Sequence, residues 1–297
     1  MLFSVSVLLG VATSFASATT IFVSSYSGTV TSLSLTESQG NYTFQQVAVS
    51  TDCAPNPSWL TLDANRGLLF CLNEGLETTN GSLSSFTVSA NGTLTHVQNT
   101  TTISGPVSSI IYGEPAGRRG IVLAHYTGSA VSSWYLDGGG KFSSNQNIPF
   151  TLNATGPAAD RQEAPHEHEA ILDPTGQYVL VPDLGADLVR VFSYESDLRL
   201  QELAPLQTAP GDGPRHAAFY NPYGVACEGC TTYMYVSNEL ASSVTGYAVT
   251  YLPNGGGLSF DRVYNSSTYG YLSAPASNAP SEILVSVSLL HNTETVC

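Results

Sequence analysis

His166-Glu-His-Glu-Ala-Ile-Leu-Asp-Pro-Thr-Gly-Gln-Tyr-Val-Leu-Val-Pro-Asp-Leu-Gly-Ala-Asp-Leu-Val-Arg-Val-Phe192 reads as three short strands joined by two tight reversals. Pro174-Thr-Gly176 and Leu184-Gly-Ala-Asp187 carry the residues such reversals need. The expected strands are A, Glu169–Asp173; B, Gln177–Pro182; C, Leu188–Tyr194; and a ragged D, Leu200–Leu206. The phrase returns at Pro214-Arg-His-Ala-Ala-Phe-Tyr-Asn-Pro222, followed by Tyr233-Met-Tyr-Val-Ser-Asn-Glu239. An Asp/Asn-type turn after an apolar strand recurs at Leu62-Asp63, Leu172-Asp173 and Tyr220-Asn221, with a degenerate copy near Tyr112-Gly113. A four-stranded unit recurring every ~50 to 60 residues is the signature of a propeller blade. Period-2 patterning dominates, and no long segment carries a helical stripe.

The fold class expected is therefore all-β, a β-propeller of four-stranded blades over residues 19–286. The units run about 20–50, 58–104, 107–152, 167–208 and 215–264. Pro280-Ser-Glu-Ile-Leu-Val-Ser286 matches the strand A of Pro57-Ser-Trp-Leu-Thr-Leu-Asp63, so a sixth unit is expected to begin there. Residues 287–297 fall off the pattern. A propeller must close its ring to cover its blade faces, so five blades and a fragment lead us to expect a C-terminally truncated product.

Charged residues make up only 11% of the 297, too few for a disordered or coiled-coil chain. The formal net charge is −14, and Lys141 is the sole lysine. That charge excludes the basic footprint of a nucleic-acid binder. Met1–Ala18 reads as a secretory signal, with an apolar Val7–Ala12 and a small-x-small site at Ala16-Ser17-Ala18. Asn-x-Ser/Thr sequons at Asn41, Asn80, Asn91, Asn99, Asn153 and Asn265 fit the same secreted destination. No later stretch is long and apolar enough for a membrane helix, so no membrane partner is expected. A monomer is expected. In an oxidising compartment, Cys53 is expected to pair with Cys71 and Cys227 with Cys230, leaving Cys297 over.

Blade topology makes a geometric statement. Strand A leaves the ligand face and strand B returns to it, so the residues leading into A and the B-to-C turn share one rim. His166 and His168 lead into one strand A; Arg215 and His216 lead into the next. Asp183, Glu239 and Glu74 lie at B-to-C turns. His216 is read as the repeat counterpart of His168. A neutral imidazole at His168 would take a proton from water, and a guanidinium at Arg215 would bind a carboxylate or a growing oxyanion. Glu239 would orient His168, act as a base, or pair with Arg215. His166, His216, Asp183 and Glu74 are the expected substrate contacts. His166-x-His168 supplies too few ligands for a structural zinc, and calcium would need more oxygens than can be placed; no metal and no cofactor is expected. No Gly-x-Ser-x-Gly elbow is present, which argues against a serine esterase.

The set His-x-x-x-x-Asp-Pro-x-Gly-x-Tyr-x-x-x-x-Asp-Leu-Gly-x-Asp, Gly-Pro-Arg-His and Val-Ser-Asn-Glu, in that blade order, resembles the seven-bladed β-propeller lactonase family. That family includes propeller-type 6-phosphogluconolactonases and the fungal carboxy-cis,cis-muconate cyclase. The resemblance spans about residues 20–286, with its specific motifs confined to 166–239. It implies a site built on His168 and Arg215, with a small lactone or carboxylate as substrate. Ring closure of a muconate-type acid is the alternative direction, and a non-catalytic binding propeller is the alternative class. A later Ser-Asn-Arg motif of the family has no counterpart here.

Overall fold

Strand B of the middle units explains the layering. Leu68–Asn73, Arg119–His125 and Tyr178–Asp183 are buried along their whole length. Successive side chains on a strand point to opposite faces, so full burial requires cover on both. The alternation divides neighbours instead of separating core from solvent. Val179 and Val181 pack against Val122 and Val131 of the preceding sheet, while Tyr178 and Leu180 pack against Met234 and Val236 of the following one. Leu68, Phe70 and Leu72 likewise meet Ile121 and Leu123, and Leu69 and Cys71 meet Val30. Four inter-sheet cores of this kind stack the sheets side by side, as propeller blades stack.

The computed structural model describes residues 18–114, 117–222, 231–275 and 278–286. The expected signal up to Ser17, the Cys227–Cys230 pair, Cys297 and the off-pattern tail lie outside the described residues. Five antiparallel sheets follow one another along the chain. The first has three strands, Ala18–Ser25, Thr29–Ser38 and Asn41–Ser50. The second comprises Pro57–Asp63, Leu68–Asn73, Ser82–Val88 and Leu94–Thr101. The third comprises Pro106–Gly113, Arg119–His125, Ala130–Leu136 and Phe142–Pro149. In the fourth, Ile171–Leu172, Tyr178–Asp183 and Leu188–Tyr194 are followed by a D strand in two pieces, Leu200–Glu202 and Leu206–Gln207. The fifth comprises Pro214–Tyr220, Thr232–Asn238, Ser243–Tyr251 and Leu258–Ser267.

Three local expectations change. The first unit has no strand A among the described residues; its three strands take the B, C and D places. The Glu169–Asp173 strand contracts to Ile171–Leu172: at its start the Ala170 amide donates to Ser108 Oγ of the third sheet, and at its end the Asp173 carboxylate turns back to accept the Thr175, Gln177 and Tyr178 amides. Pro280–Ser286 is irregular rather than a strand, and none of the described strands pairs with it. A strand needs a ladder partner for its amides.

Covalent and ionic ties cross the sheet boundaries. The expected Cys53–Cys71 disulfide is present and pins the link between the first two sheets onto strand B. Arg119 reaches Asp63 across the second and third sheets at 2.6 Å, both buried.

Candidate functional site: a rim assembled from two repeat positions

The register of strand A decides what faces the propeller axis. Pro57 pairs with Asn73 but Trp59 with Leu72; Pro106 pairs with His125 but Ser108 with Ala124; Pro214 pairs with Asn238 but His216 with Ser237. Each strand A thus carries one extra residue, a bulge, at its start. A bulge re-aims its side chain out of the ladder. The extra residues are Ser58, Val107 and Arg215. In the fourth sheet the isolated Glu167–Asp183 bridge stands where those prolines pair, which makes His168 the extra residue. The repeat counterpart of His168 is therefore Arg215; that of His216 is Glu169. This corrects the sequence alignment of His168 with His216, which the bulge displaces by one residue.

The second position is the first residue after strand B, at Tyr26, Glu74, Tyr126, Leu184 and Glu239. Four of these five line one cavity of about 500 Å³ together with Ser58, Val107, His168 and Arg215. Leu184 is the exception: it is fully buried, its amide donates to the His166 carbonyl and its carbonyl accepts from Gln162 Nε2. Trp59, His216, Arg161, Ser281 and Glu282 complete the wall.

Glu239 sits between two guanidinium groups. Arg161 Nη2 donates to its Oε1 at 2.6 Å, and Arg215 Nε donates to its Oε2 at 2.9 Å. Arg161 is also held by the Tyr126 hydroxyl through Nε and Nη2. Arg215 Nη1 donates to the Ser281 carbonyl and lies 3.3 Å from His216 Nε2. Of the three roles open to Glu239 in the sequence, pairing with Arg215 is the one this geometry displays.

His168 is partly exposed to the cavity, with its ring edge against Tyr126 at 5.4 Å and against His216 at 5.2 Å. Its Nδ1 is buried and finds no hydrogen-bond partner among the described residues. Burial, then the nearby Arg215 guanidinium and the His216 ring, hold its pKa well below the ordinary imidazole value. The ring is neutral at neutral pH, and the cost of charging it is desolvation in a cation-rich corner. His216 is lowered for the same leading reason, burial, followed by Arg215. Glu74 accepts a 2.6 Å bond from the Tyr26 hydroxyl, whose pKa rises to about 12 through burial and that contact.

The structure brings five of the seven expected residues to this cavity: Glu74, His168, Arg215, His216 and Glu239. Two expected contacts are elsewhere. His166 stacks on Tyr126 at 4.2 Å, and both ring nitrogens are engaged, by the Tyr126 carbonyl at 2.8 Å and by Glu163 at 3.1 Å. Asp183 is fully buried and accepts from the His166 and Ala186 amides and from Arg190 at 2.6 Å, so it fixes the turn beneath the rim. Both depart from expectation for one reason: His166 precedes the bulge, and Asp183 is the last ladder residue rather than the first turn residue.

Sequence reasoning missed Tyr26, Tyr126, Trp59 and Arg161. The first three lie in repeat positions already singled out, so the repeat carried their signal. Arg161 gave none, since it comes from the irregular link between the third and fourth sheets.

The lactonase family model, described as a seven-bladed β-propeller, matches residues 15–289. A protein of Arthroderma benhamiae named "Probable 6-phosphogluconolactonase" is 30% identical over 231 residues, covering 77% of this chain and 55% of that one. A 6-phosphogluconolactonase of Formosa agariphila is 26% identical over 225 residues, covering 74% and 60%. The chain thus spans little more than half the length of these relatives. Among solved structures, a Bacteroides fragilis protein superposes with a TM-score of 0.69 at 22% identity, covering 87% of this chain and 69% of that one. A Pseudomonas aeruginosa periplasmic gluconolactonase superposes with a TM-score of 0.63 at 24% identity, covering 83% and 65%. At these identities the superpositions speak to the fold.

Proposed function

We propose, for a chain that belongs to the seven-bladed β-propeller lactonase family, the hydrolytic opening of an uncharged sugar lactone outside the cytoplasm. The observation that carries the reading is the pairing, in one cavity, of a neutral imidazole at His168 with the guanidinium of Arg215. Water attacks the lactone carbonyl. His168 accepts the water proton, a role that needs the neutral ring. Arg215, steadied by Glu239, donates to the oxygen on which negative charge grows, and Arg161 adds a second donor from the far side of Glu239. Collapse of the tetrahedral intermediate expels the ring oxygen, which takes the proton back from the imidazolium. Both carboxylate oxygens of Glu239 are occupied by arginines, so Glu239 acts as a positioning residue.

Charge selects the substrate within the lactones. The cavity wall holds Arg161 and Arg215 against Glu74, Glu239 and Glu282. Both guanidinium groups are already bound to Glu239, and a phosphate ester would have to compete with that carboxylate and with the acids Glu74 and Glu282 beside it. A neutral lactone presents only hydroxyls and a carbonyl, which this mixture of donors and acceptors can bind. Secretion is supported by the surface: the asparagines of all six sequons are exposed, so each can accept a glycan on the folded chain.

The test is pH-stat hydrolysis of a neutral aldonolactone, its 6-phosphate and a muconolactone by the purified protein, beside His168→Gln and Arg215→Met. The expected result is turnover of the neutral lactone, reduced ~10²-fold or more in each variant, as loss of a general base or an oxyanion donor requires. Turnover unchanged in both variants, or confined to the phosphate ester, overturns the reading.

A further inference from the structure

Behind Arg215 the bulge register builds a second constellation. The residue after each bulge is Glu169 in the fourth sheet and His216 in the fifth, and Pro280-Ser-Glu282 repeats the pattern of Pro214-Arg-His216. One repeat position, taken three times in succession, places a carboxylate, an imidazole and a carboxylate side by side. One ligand atom from each lies within 4.8 Å of the others. His216 Nδ1 is 3.1 Å from Glu282 Oε1.

Glu169 is the anomaly. It is 6% exposed, the Ala217 amide donates to it at 2.6 Å, and none of the described cations pairs with it. A buried carboxylate with one neutral donor lacks the counter-charge that such burial calls for. Arg215 acts on Glu169 only at a distance, because its guanidinium is bound to Glu239 and the Ser281 carbonyl. Glu282 is about half exposed, so the cluster opens to solvent on one side.

We infer that Glu169, His216 and Glu282 form a binding site for one divalent first-row cation, of the Zn²⁺ or Mn²⁺ kind. One nitrogen and two carboxylate oxygens suit such an ion and leave positions for water; a calcium site would need more oxygens. The ion supplies the charge that Glu169 lacks. Coordination through His216 Nδ1 puts the ring proton on Nε2, so the long contact from Arg215 Nη1 lengthens on loading. The site shares His216 and Glu282 with the cavity wall, and it is tested without turnover so that its failure is distinguishable from failure of the lactone reading.

The experiment is titration of the EDTA-treated full chain with Zn²⁺, Mn²⁺ and Ca²⁺ by calorimetry, with Tm recorded at each endpoint, for the parent, Glu169→Gln and Glu282→Gln. Expected is one ion per chain for Zn²⁺ or Mn²⁺, and a Tm rise of roughly 5 °C at a hundredfold excess over Kd. Affinity should fall at least ~10-fold in each variant, as removing one ligand of three demands. Glu282→Gln lies on an irregular exposed segment and tests the site without disturbing a sheet. Absence of stoichiometric binding overturns the proposal, as does binding that both variants retain. A metal-free Tm raised by Glu169→Gln, with no ion effect in the parent, would instead assign Glu169 as a buried neutral acid.

Discussion

Glu239→Gln is the sharpest perturbation of the rim. In the parent, one carboxylate bridges Arg161 at 2.6 Å and Arg215 at 2.9 Å. Charge-assisted hydrogen bonds contribute ~1.5–3 kcal/mol when buried. The Arg161 side chain is 38% exposed, so its share is discounted to about 0.5 kcal/mol, the value of a solvent-screened pair. Arg215 is 21% exposed and Glu239 9%, which leaves that contact about 1.5 kcal/mol. Glutamine keeps one acceptor, but its amide N–H₂ faces a guanidinium with no lone pair between them. The expected loss is about 2 kcal/mol, a Tm decrease of roughly 4 °C for a domain of this size. Activity should suffer more than stability. Arg215 loses its fixed angle, and displacement by about 1 Å from the developing oxyanion lowers kcat/KM ~10²-fold. Calorimetry and pH-stat turnover on one preparation read both quantities. A variant with parental Tm and parental kcat/KM would refute the clamp and the placement of Arg215 it implies.

Other groups in the structure carry expectations of their own. Because His168 is held neutral, kcat/KM should stay level as pH falls through the ordinary imidazole range near 6.5 and decline only in stronger acid; a midpoint at 6.5 in the pH–rate profile would count against His168 as the base. His125 is fully buried, with Nδ1 on the Ile103 carbonyl and Nε2 on Ser132, and burial lowers its pKa to about 4. The unfolded chain therefore takes this proton first, so stability is whole above pH 6.5 and falls by up to ~3 kcal/mol by pH 4. Urea midpoints at pH 7 and pH 4 should show a smaller acid loss in His125→Gln, and an equal loss would refute it. Leu180→Ala empties a fully buried position between the fourth and fifth sheets and should cost ~2–5 kcal/mol in urea unfolding; a loss under ~1 kcal/mol would mean that the two blades do not share a core.

Much of the fold was legible because a blade is a local object. Asp173 with Pro174-Thr-Gly176, and the alternation of Tyr178–Asp183, specify a hairpin from neighbours a few residues apart. Repetition then specified the stack, since each hairpin's two apolar faces need a similar hairpin on either side. The rim was legible to the same degree: residues leading into strand A and residues after strand B converge wherever the repeat is obeyed.

Three things were decided by tertiary structure. The bulge at the head of strand A is a property of two paired strands, and it shifted the counterpart of His168 from His216 to Arg215. The link carrying Arg161 follows no period, so only the folded chain shows its guanidinium meeting Glu239, 78 residues away. The third is the surroundings of each imidazole. His168, His166 and His216 look alike as letters, yet one is a neutral ring on a cavity, one is spent on Tyr126 and Glu163, and one stands between Arg215 and Glu282. Sequence sets the residue and its place in the repeat; burial and neighbouring charge set what that residue can do.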